Sequence, residues 1–188
     1  MSLDGFIAGP NVRPDNGLGD GGMRLHEWLL LGDTDGHKSA AARLRGVNRQ
    51  IYDELMSTGA VIAGRPTFEP AGGWDGDHHN GVPIFILSHS PAPSWTAAWP
   101  AVTYVRDLAV AVGDAKRAAG DSNVLVHGST IAQLALAAGL LDEIEIHLVP
   151  ILLGTGTPLF EHLKLDLERT RVLEGEGGVT HLHYRVRH

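Results

Sequence analysis

Three short turns in the sequence carry the residue types that bind phosphate groups. The first is Gly64-Arg65-Pro66-Thr67-Phe68, directly after a short apolar run. Gly64 permits close approach to the backbone, Pro66 suits the first helical position, and N–H groups at a helix start attract anions. Arg65 would add positive charge and Thr67 a hydroxyl. The pentapeptide predicts an anion site, although a surface arginine beside an ordinary turn gives the same pattern.

The second turn is Ser88-His89-Ser90, which follows an apolar segment that ends at Leu87. A hydroxyl and an imidazole at a strand end can donate to a phosphate dianion, such as the extra phosphate that distinguishes NADP from NAD. Pro91 follows Ser90, and serine before proline is also typical of a turn that binds nothing. The second turn is therefore consistent with a phosphate site or with a simple connection.

The third turn is His127-Gly128-Ser129-Thr130-Ile131, between a predicted strand and a predicted helix. Glycine followed by two hydroxyl residues can cradle a pyrophosphate, and the same residues also cap helices without any ligand. Ligands of open α/β sheets bind at the carboxyl ends of the strands. Because all three turns follow strands, one extended dinucleotide explains them better than three coincidences.

Apolar segments that alternate with helical patterns must position these turns. Strands are predicted at Leu3 to Ala8, Ala60 to Ala63, Pro83 to Leu87, Val102 to Val105 and Val124 to Val126. Helices are predicted around Leu44, Val47, Ile51 and Leu55, from an N-cap at Asp107 through Ala119, and from Ser129 or Thr130 to Gly139. This alternation indicates a largely parallel sheet.

The last third of the chain has a different pattern. Ile144, Ile146 and Leu148 alternate with polar residues and predict a half-buried strand. A glycine-rich turn at 175–178 separates two strand-like segments and predicts an antiparallel hairpin. Its second arm places His181 and His183 on one polar face, which could ligate a metal or an anionic substrate, or could simply be an exposed or interfacial face.

The composition limits the classes of function. We predict one domain over residues 1–188, because this length suits a single domain. The sequence has no cysteine, no bilayer-length apolar run and no signal-peptide pattern, so we expect a cytoplasmic protein with no membrane partner. The formal charge of −7 argues against nucleic acid as a partner, although a local basic pocket could hold one phosphorylated ligand.

Together with segments elsewhere, these turns resemble the dihydrofolate reductase superfamily. The matching segments are Ser2-Leu3-Asp4-Gly5-Phe6-Ile7-Ala8-Gly9-Pro10, Gly64-Arg65-Pro66-Thr67-Phe68, Gly139-Leu140-Leu141-Asp142-Glu143 and Pro150-Ile151-Leu152-Leu153-Gly154-Thr155-Gly156. The resemblance covers nearly the whole chain, particularly to the branch that includes the reductase domain of riboflavin biosynthesis. It implies an α/β fold with a mixed, mostly parallel eight-stranded sheet flanked by helices and a C-terminal antiparallel hairpin. It also implies bound NADPH and a homodimer.

The resemblance further implies roles for individual residues. The cofactor-binding positions are Ala8, Gly19, Gly64, Arg65, Pro66, Thr67, Leu87, Ser88, His89, His127, Gly128, Ser129, Thr130 and Ile131. Arg65 and Thr67 would hold a cofactor phosphate, and the residues at 128–131 would line the pyrophosphate. Ser88 and His89 would lie near the 2'-phosphate of the adenosine. Ala8 and the loop at 17–22, which contains Gly19, would flank the nicotinamide.

Two features depart from the family pattern. Relatives commonly have two glycines at the start of the third turn, where this chain has His127-Gly128. The first strand also has fewer apolar residues than is usual, so we expect it to be short.

A proton donor must face the nicotinamide, because the cofactor itself carries the hydride chemistry. In dihydrofolate reductase the acid lies on the helix after the first loop. In this chain His26 and Glu27 occupy that region and Asp20 precedes them. We select Glu27, with His26 and Asp20 as alternatives, although a solvated helix face would explain His26 and Glu27 equally well.

A glycine-rich loop at 72–81 contains further candidate metal ligands, Asp75, Asp77, His78 and His79. Their spacing matches no known metal site, so we expect a lid or a plain loop and no metal.

The leading hypothesis is an NADPH-dependent reductase that acts on a small planar heterocycle such as a pterin or a pyrimidine. The alternative is a protein that binds NADP(H) without turnover.

Overall fold

The computed structural model describes residues 1–30 and 43–187. The chain divides into two compact units. The first unit consists of Met1–Val12, Leu18–Glu54 and Leu141–His188, and the second of Arg13–Gly17 and Leu55–Leu140. Within the described residues, no helix is long and apolar enough to cross a membrane.

The helices and strands follow one another in an order close to that predicted. The strands are β1 (Phe6–Ala8), β2 (Ala60–Gly64), β3 (Ile84–Leu87), β4 (Val102–Val105), β5 (Val124–His127), β6 (Glu143–Leu148), β7 (Thr157–Pro158), β8 (Leu167–Glu174) and β9 (Thr180–Val186). The α-helices are α1 (Glu27–Leu30), α2 (Gly46–Met56), α3 (Arg65–Phe68), α4 (Leu108–Ala119) and α5 (Ser129–Ala137).

The second unit is built on a four-stranded parallel sheet in the order β4-β3-β2-β5. Every residue of β2 is buried, because β2 pairs with a strand on each side and both of its faces are covered. Ala60 and Ile62 pack on one face with Val112 of α4, whereas Val61 and Ala63 pack on the other face with Phe68. This alternation is the two-residue period of a strand, and a continuous apolar run is typical of a doubly covered parallel strand.

Helix α4 begins where the sequence predicted. Asp107 is its N-cap, and the Asp107 carboxylate accepts a hydrogen bond of 2.9 Å from the backbone N–H of Val110. Gly120 follows the last residue, Ala119, with a positive φ of 60°. The predicted cap and the predicted stop are both confirmed, because each depends on residues adjacent in the chain.

The first unit contains two antiparallel sheets. Strands β6, β9 and β8 form one in that order, and β8 and β9 are the two arms of the predicted hairpin. Strands β1 and β7 form the other through two residue pairs. The prediction of one eight-stranded, mostly parallel sheet was therefore wrong, since the described strands pair as three separate sheets. Strand β7 has two residues, one of them proline, so it cannot extend a long ladder.

Strand β1 is shorter than the predicted Leu3 to Ala8. The residues before Phe6 form a turn in which Gly5 has a φ of 89° and donates its N–H to the carbonyl of Ser2. The carboxylate of Asp4 accepts hydrogen bonds from the backbone N–H groups of Leu153 and Gly154. The Asp-Gly pair thus makes a turn where the apolar pattern alone suggested a longer strand.

His181 is buried rather than exposed, which corrects the expectation of a polar outer face. Its side chain is 2% exposed and lies 2.8 Å from His147, between the two Nδ1 atoms. Its Nε2 lies 3.1 Å from the amide oxygen of Asn48, and its ring is 4.9 Å from that of Trp28. His183 on the same strand instead contacts Thr170, at 2.7 Å. Neighbouring strands and helices, not the polarity of the residue, determine which histidine is buried.

This cluster should make the protein sensitive to acid. Desolvation, with smaller contributions from the charges of His181, the N-terminus and His26, lowers the pKa of His147 to about 3. His147 therefore stays neutral in the folded state while it gains a proton in the unfolded state below its ordinary pKa of about 6.5. Its contribution to stability is complete above that value and is lost as the pH falls towards 3.

As the pH falls, we expect His147 alone to lower the free energy of unfolding by up to about 1.4 kcal/mol per pH unit. Urea unfolding between pH 7 and pH 4 should show a smaller slope for His147→Gln than for the natural chain. His162 is exposed, so His162→Asn should leave the slope unchanged. Equal slopes for all three proteins would contradict the assignment.

Candidate functional site

The carboxyl ends of β2, β3 and β5 lie at one edge of the parallel sheet of the second unit. Gly64 at the end of β2 is paired with Leu87 of β3, and the preceding Ala63 is paired with His127 of β5. Parallel strands in register end at the same edge, so the three predicted turns leave the sheet side by side. The structure thus brings together the three segments that the sequence singled out separately.

The first and third turns touch each other. Gly128 has a φ of 96°, and a Cβ atom on it would collide with the hydroxyl of Thr67. A Cβ atom on Gly64 would lie 3.3 Å from the side chain of Ile131. Glycine at 128 therefore allows two backbone turns to pack closely and places the Thr67 hydroxyl beside the start of α5.

The start of α5 has no side-chain cap among the described residues. The N-cap is Gly128, and neither Ser129 nor Thr130 fills that position, which corrects the sequence prediction for these two residues. Ser129 is the first helical residue and is 8% exposed, whereas Thr130 is exposed. The first N–H groups of a helix lack intrahelical acceptors, so an uncapped start can donate to an anion.

Arg65 is held by several neighbours at once. It forms an ion pair of 2.7 Å with Glu69, and it donates a hydrogen bond of 2.9 Å to the carbonyl of Pro91. Its guanidinium lies 5.8 Å from the ring centre of Tyr104 and 3.5 Å from the hydroxyl of Ser88. The guanidinium is therefore fixed between the first and second turns, but the carboxylate of Glu69 compensates part of its positive charge.

Tyr104 remains a neutral phenol over the physiological range. Burial, with the negative charge of Glu69 as the next contribution, raises the pKa of Tyr104 to about 12. Its hydroxyl lies 3.5 Å from the carboxylate of Glu69. Neither residue was named from the sequence. Glu69 follows Arg65 by four residues, a spacing that indicates a helical ion pair, whereas Tyr104 is brought in by a different strand.

The two polar residues of the second turn differ in their surroundings. Ser88 is 8% exposed, and its hydroxyl donates to the carbonyl of Ser90 and accepts from the N–H of Ser90. His89 is exposed. Ser88 therefore shapes the turn, as serine often does, and His89 is the side chain that an approaching phosphate can reach.

His127, at the start of the third turn, lies among aromatic rings. Its ring stacks on Trp74, with the ring centres 5.3 Å apart and the planes at 14°. Its Nδ1 lies 3.2 Å from Nε2 of His78, in the glycine-rich loop at 72–81. No local pattern of residues indicates this contact, because 49 residues separate the two histidines.

The remaining candidate residues belong to the first unit. Ala8 ends β1, and the next residue, Gly9, donates its N–H to the carbonyl of Leu18 at 2.9 Å. Gly19 is buried with a φ of 68°, and a Cβ atom there would collide with the backbone of Gly9. The end of β1 and the following loop are therefore packed backbone against backbone, as the glycines allow.

The three candidate acids are placed differently. Asp20 is exposed, and its carboxylate accepts a hydrogen bond of 2.7 Å from the amide of Asn11. Glu27 is exposed on α1, and its neighbours in the chain are the half-buried His26 and the buried Trp28. Adjacent helical residues point in different directions, so His26 and Glu27 do not share a face.

The described residues contain no group of three or more His, Cys, Asp or Glu side chains that could hold a metal ion.

Comparisons with known proteins agree with this architecture. The model of a family described as the RibD C-terminal domain matches residues 1–180. A solved structure assigned to riboflavin biosynthesis in Shewanella sp. PV-4 superposes with a TM-score of 0.69 at 23% identity, covering 100% of this chain and 96% of that chain. RibD of Acinetobacter baumannii superposes with a TM-score of 0.61 at 17% identity, covering 100% of this chain and 56% of the other.

A third similar structure is the dihydrofolate reductase of Enterococcus faecalis in complex with NADP(H) and RAB-propyl. It superposes with a TM-score of 0.53 at 16% identity, and the match covers 74% of this chain and 80% of that chain. At these identities the superpositions establish a shared α/β fold of the dihydrofolate reductase type. No curated protein sequence matches the chain.

The packing of the third turn on the first can be tested at Gly128. An alanine there would be strained by the positive φ and would push against Thr67. We expect Gly128→Ala to lower the free energy of unfolding by about 1–3 kcal/mol in a urea titration. Gly113 lies inside α4, and a Cβ atom on it would meet none of the described atoms within 4 Å. Gly113→Ala should therefore raise stability by about 0.5–1 kcal/mol. If Gly128→Ala leaves the free energy of unfolding unchanged, the third turn is not tightly packed on the first.

Proposed function

Because the chain belongs to the RibD C-terminal domain family, we propose that it is a reductase that binds NADPH and acts on a small planar heterocycle. The observation that carries this proposal is the assembly of three phosphate-type turns at one edge of a parallel sheet. The carboxyl edge of such a sheet is where open α/β folds bind nucleotides.

The third turn fits a pyrophosphate in several independent ways. Gly128 adopts a positive φ that favours glycine, and the start of α5 offers N–H groups without a side-chain cap among the described residues. The hydroxyl of Thr67 lies against Gly128, and Ser129 supplies a further hydroxyl as the first residue of α5. Backbone donors and hydroxyls can bind an anion without adding a formal charge, which suits a chain with a net charge of −7.

The second turn fits the additional phosphate of NADPH. Arg65 is oriented towards this turn by its bonds to Pro91 and Glu69, and its guanidinium approaches the buried hydroxyl of Ser88. His89 follows Ser88 in the chain and is exposed to solvent. An arginine that is already fixed loses little side-chain entropy when it binds a phosphate.

When bound, NADPH supplies the hydride, so the chain must bind it, orient the substrate and deliver a proton. Glu27 is the residue we propose for the proton, with His26 and Asp20 as the alternatives. Pterins and pyrimidines are the substrate classes we propose, because related proteins of the dihydrofolate reductase superfamily act on such rings. A small planar ring also suits a site whose polar groups come from a few loops.

Tryptophan fluorescence provides a direct binding assay. Trp74 stacks on His127 in the third turn, so NADPH bound there should change its emission. NADPH oxidation should then be followed at saturating cofactor with a panel of pterins, pyrimidine intermediates and quinones. Turnover of a pterin or pyrimidine is the expected result. Tight binding without turnover of any compound would instead indicate a protein that binds NADP(H) without catalysis.

Arg65→Ala should weaken NADPH binding about tenfold, which corresponds to about 1.5 kcal/mol for one charge-assisted contact. We expect an effect at the lower end of the range for such contacts because Glu69 already compensates part of the charge. The matched control is Arg117→Ala, since Arg117 lies in the last turn of α4 and pairs with Asp114. Unchanged affinity in Arg65→Ala would contradict the phosphate assignment.

His89→Ala should narrow the preference for NADPH over NADH, because the exposed imidazole is the side chain placed to meet the extra phosphate. Ser88→Ala should instead weaken both cofactors and lower stability, since it removes the hydroxyl that holds Ser90. The ratio of the two dissociation constants separates these outcomes. If His89→Ala leaves that ratio unaltered, the 2'-phosphate binds elsewhere.

A further inference from the structure

A chain of three histidines leads from the end of β5 into the interior of the second unit. Nδ1 of His127 lies 3.2 Å from Nε2 of His78, and Nδ1 of His78 lies 2.7 Å from Nδ1 of His79. Nε2 of His79 lies 2.9 Å from the hydroxyl and 3.1 Å from the carbonyl of Thr58. His79 is 3% exposed, so its hydrogen bonds must be made within the protein.

The inner end of this chain fixes where the hydrogens lie. The hydroxyl of Thr58 donates to the carbonyl of Leu55 at 2.9 Å, so its oxygen accepts from His79. The carbonyl of Thr58 can only accept. Nε2 of His79 must therefore carry a hydrogen, and in a neutral imidazole its Nδ1 is then an acceptor.

The same reasoning continues outward along the chain. With all three rings neutral, His78 donates from Nδ1 to His79 and accepts at Nε2, so His127 must donate from its Nδ1 to His78. Nε2 of His127 is then an acceptor nitrogen with a lone pair. The chain thus places a proton-accepting atom at the beginning of the third turn.

The described strands and helix next to His127, which are β2, β5 and α5, contribute no ionisable side chain other than His127 itself. Asp75 and Asp77 lie exposed on the loop of His78, and the charges of α3 and the residue after it, Arg65 and Glu69, are paired with each other. Stacking on Trp74 holds the imidazole ring and is also favourable for an imidazolium.

We propose that His127 takes up a proton at Nε2 when a phosphate group binds to the third turn, and that His78 and His79 hold it in the tautomer that permits this. The inference rests on the proposed function for the identity of the phosphate, which is the pyrophosphate of NADPH. The proton comes from solvent, and no covalent bond other than the new N–H bond is made or broken. The imidazolium then donates Nε2–H to a phosphate oxygen while Nδ1–H still donates to His78.

This arrangement links cofactor binding to pH. The bound phosphate favours the imidazolium, so the pKa of His127 is higher with NADPH than without it. Binding is therefore tightest below the pKa of the free protein, and it weakens by up to about tenfold per pH unit between the pKa of the free protein and that of the NADPH-bound protein, where binding takes up one proton. A glycine at position 127, as in the family pattern, could not provide this dependence.

Proton uptake can be counted by titration calorimetry of NADPH in buffers with different enthalpies of ionisation. At a pH near the pKa of histidine we expect His127→Gln to take up fewer protons than the natural chain, by a fraction of one proton, because His89 and the 2'-phosphate contribute equally to both proteins. Glutamine can still donate to a phosphate but does not titrate in this range. The control His162→Asn removes an exposed histidine and should keep the uptake. Equal uptake by the natural chain and His127→Gln would overturn the proposal.

The tautomers assigned to the three histidines can be tested by nuclear magnetic resonance. Long-range proton–nitrogen correlation spectra of the unliganded protein should show His127 and His78 protonated at Nδ1 and His79 protonated at Nε2. His78→Gln should abolish the tautomer preference of His127 and reduce proton uptake, even if NADPH still binds. His79→Gln serves as a second variant at the buried end. A His127 protonated at Nε2 in the neutral natural protein would overturn the positioning role.

The two proposals fail in distinguishable ways. NADPH binding without proton uptake overturns the role of His127 and leaves the proposed function standing. Absence of NADPH binding to the natural chain overturns both.

Discussion

Strand β2 pairs with β3 on one side and β5 on the other, and the rest of the second unit depends on this parallel pairing. Its register places Gly64 beside Leu87 and Ala63 beside His127, so three strands end together. The strand must be apolar on both faces, because α4 and the aromatic cluster around Phe68 cover it. A slip of one residue in either ladder would reverse the faces of β2 and separate the turns that follow.

In the proposed phosphate site, most of the groups that would attract an anion carry no formal charge. Arg65 forms an ion pair with Glu69 and lies against the neutral ring of Tyr104. It therefore offers a phosphate oriented N–H donors, while part of its positive charge is already compensated. The start of α5, the hydroxyl of Thr67 and the backbone at Gly128 contribute oriented dipoles. An acidic chain can bind a dinucleotide in this way, because oriented N–H groups act at short range where the overall charge has little influence.

Histidine has opposite roles in the two units. In the first unit, His147 and His181 are packed against Trp28, and desolvation lowers the pKa of both. There the imidazoles act as neutral hydrogen-bonding members of a core. In the second unit, the chain from Thr58 to His127 runs from a buried threonine to the edge of the sheet, and its outer end is placed where a proton can be accepted. The two groups of histidines differ in their hydrogen-bond partners and in whether they end in the core or at the edge of the sheet.

The sequence by itself determined the features that depend on neighbouring residues. The strands at 102–105 and 124–126, the helix after Asp107 and the three turns follow from apolar runs, caps and glycines close together in the chain. The pairing of Arg65 with Glu69 is of the same kind, since one helical turn separates them. Tertiary structure alone decided the burial of His181, the contact of Gly128 with Thr67 and the link between His78 and His127. These contacts join residues far apart in the chain, and they exist because strand register brings distant segments together, which no local pattern of residues specifies.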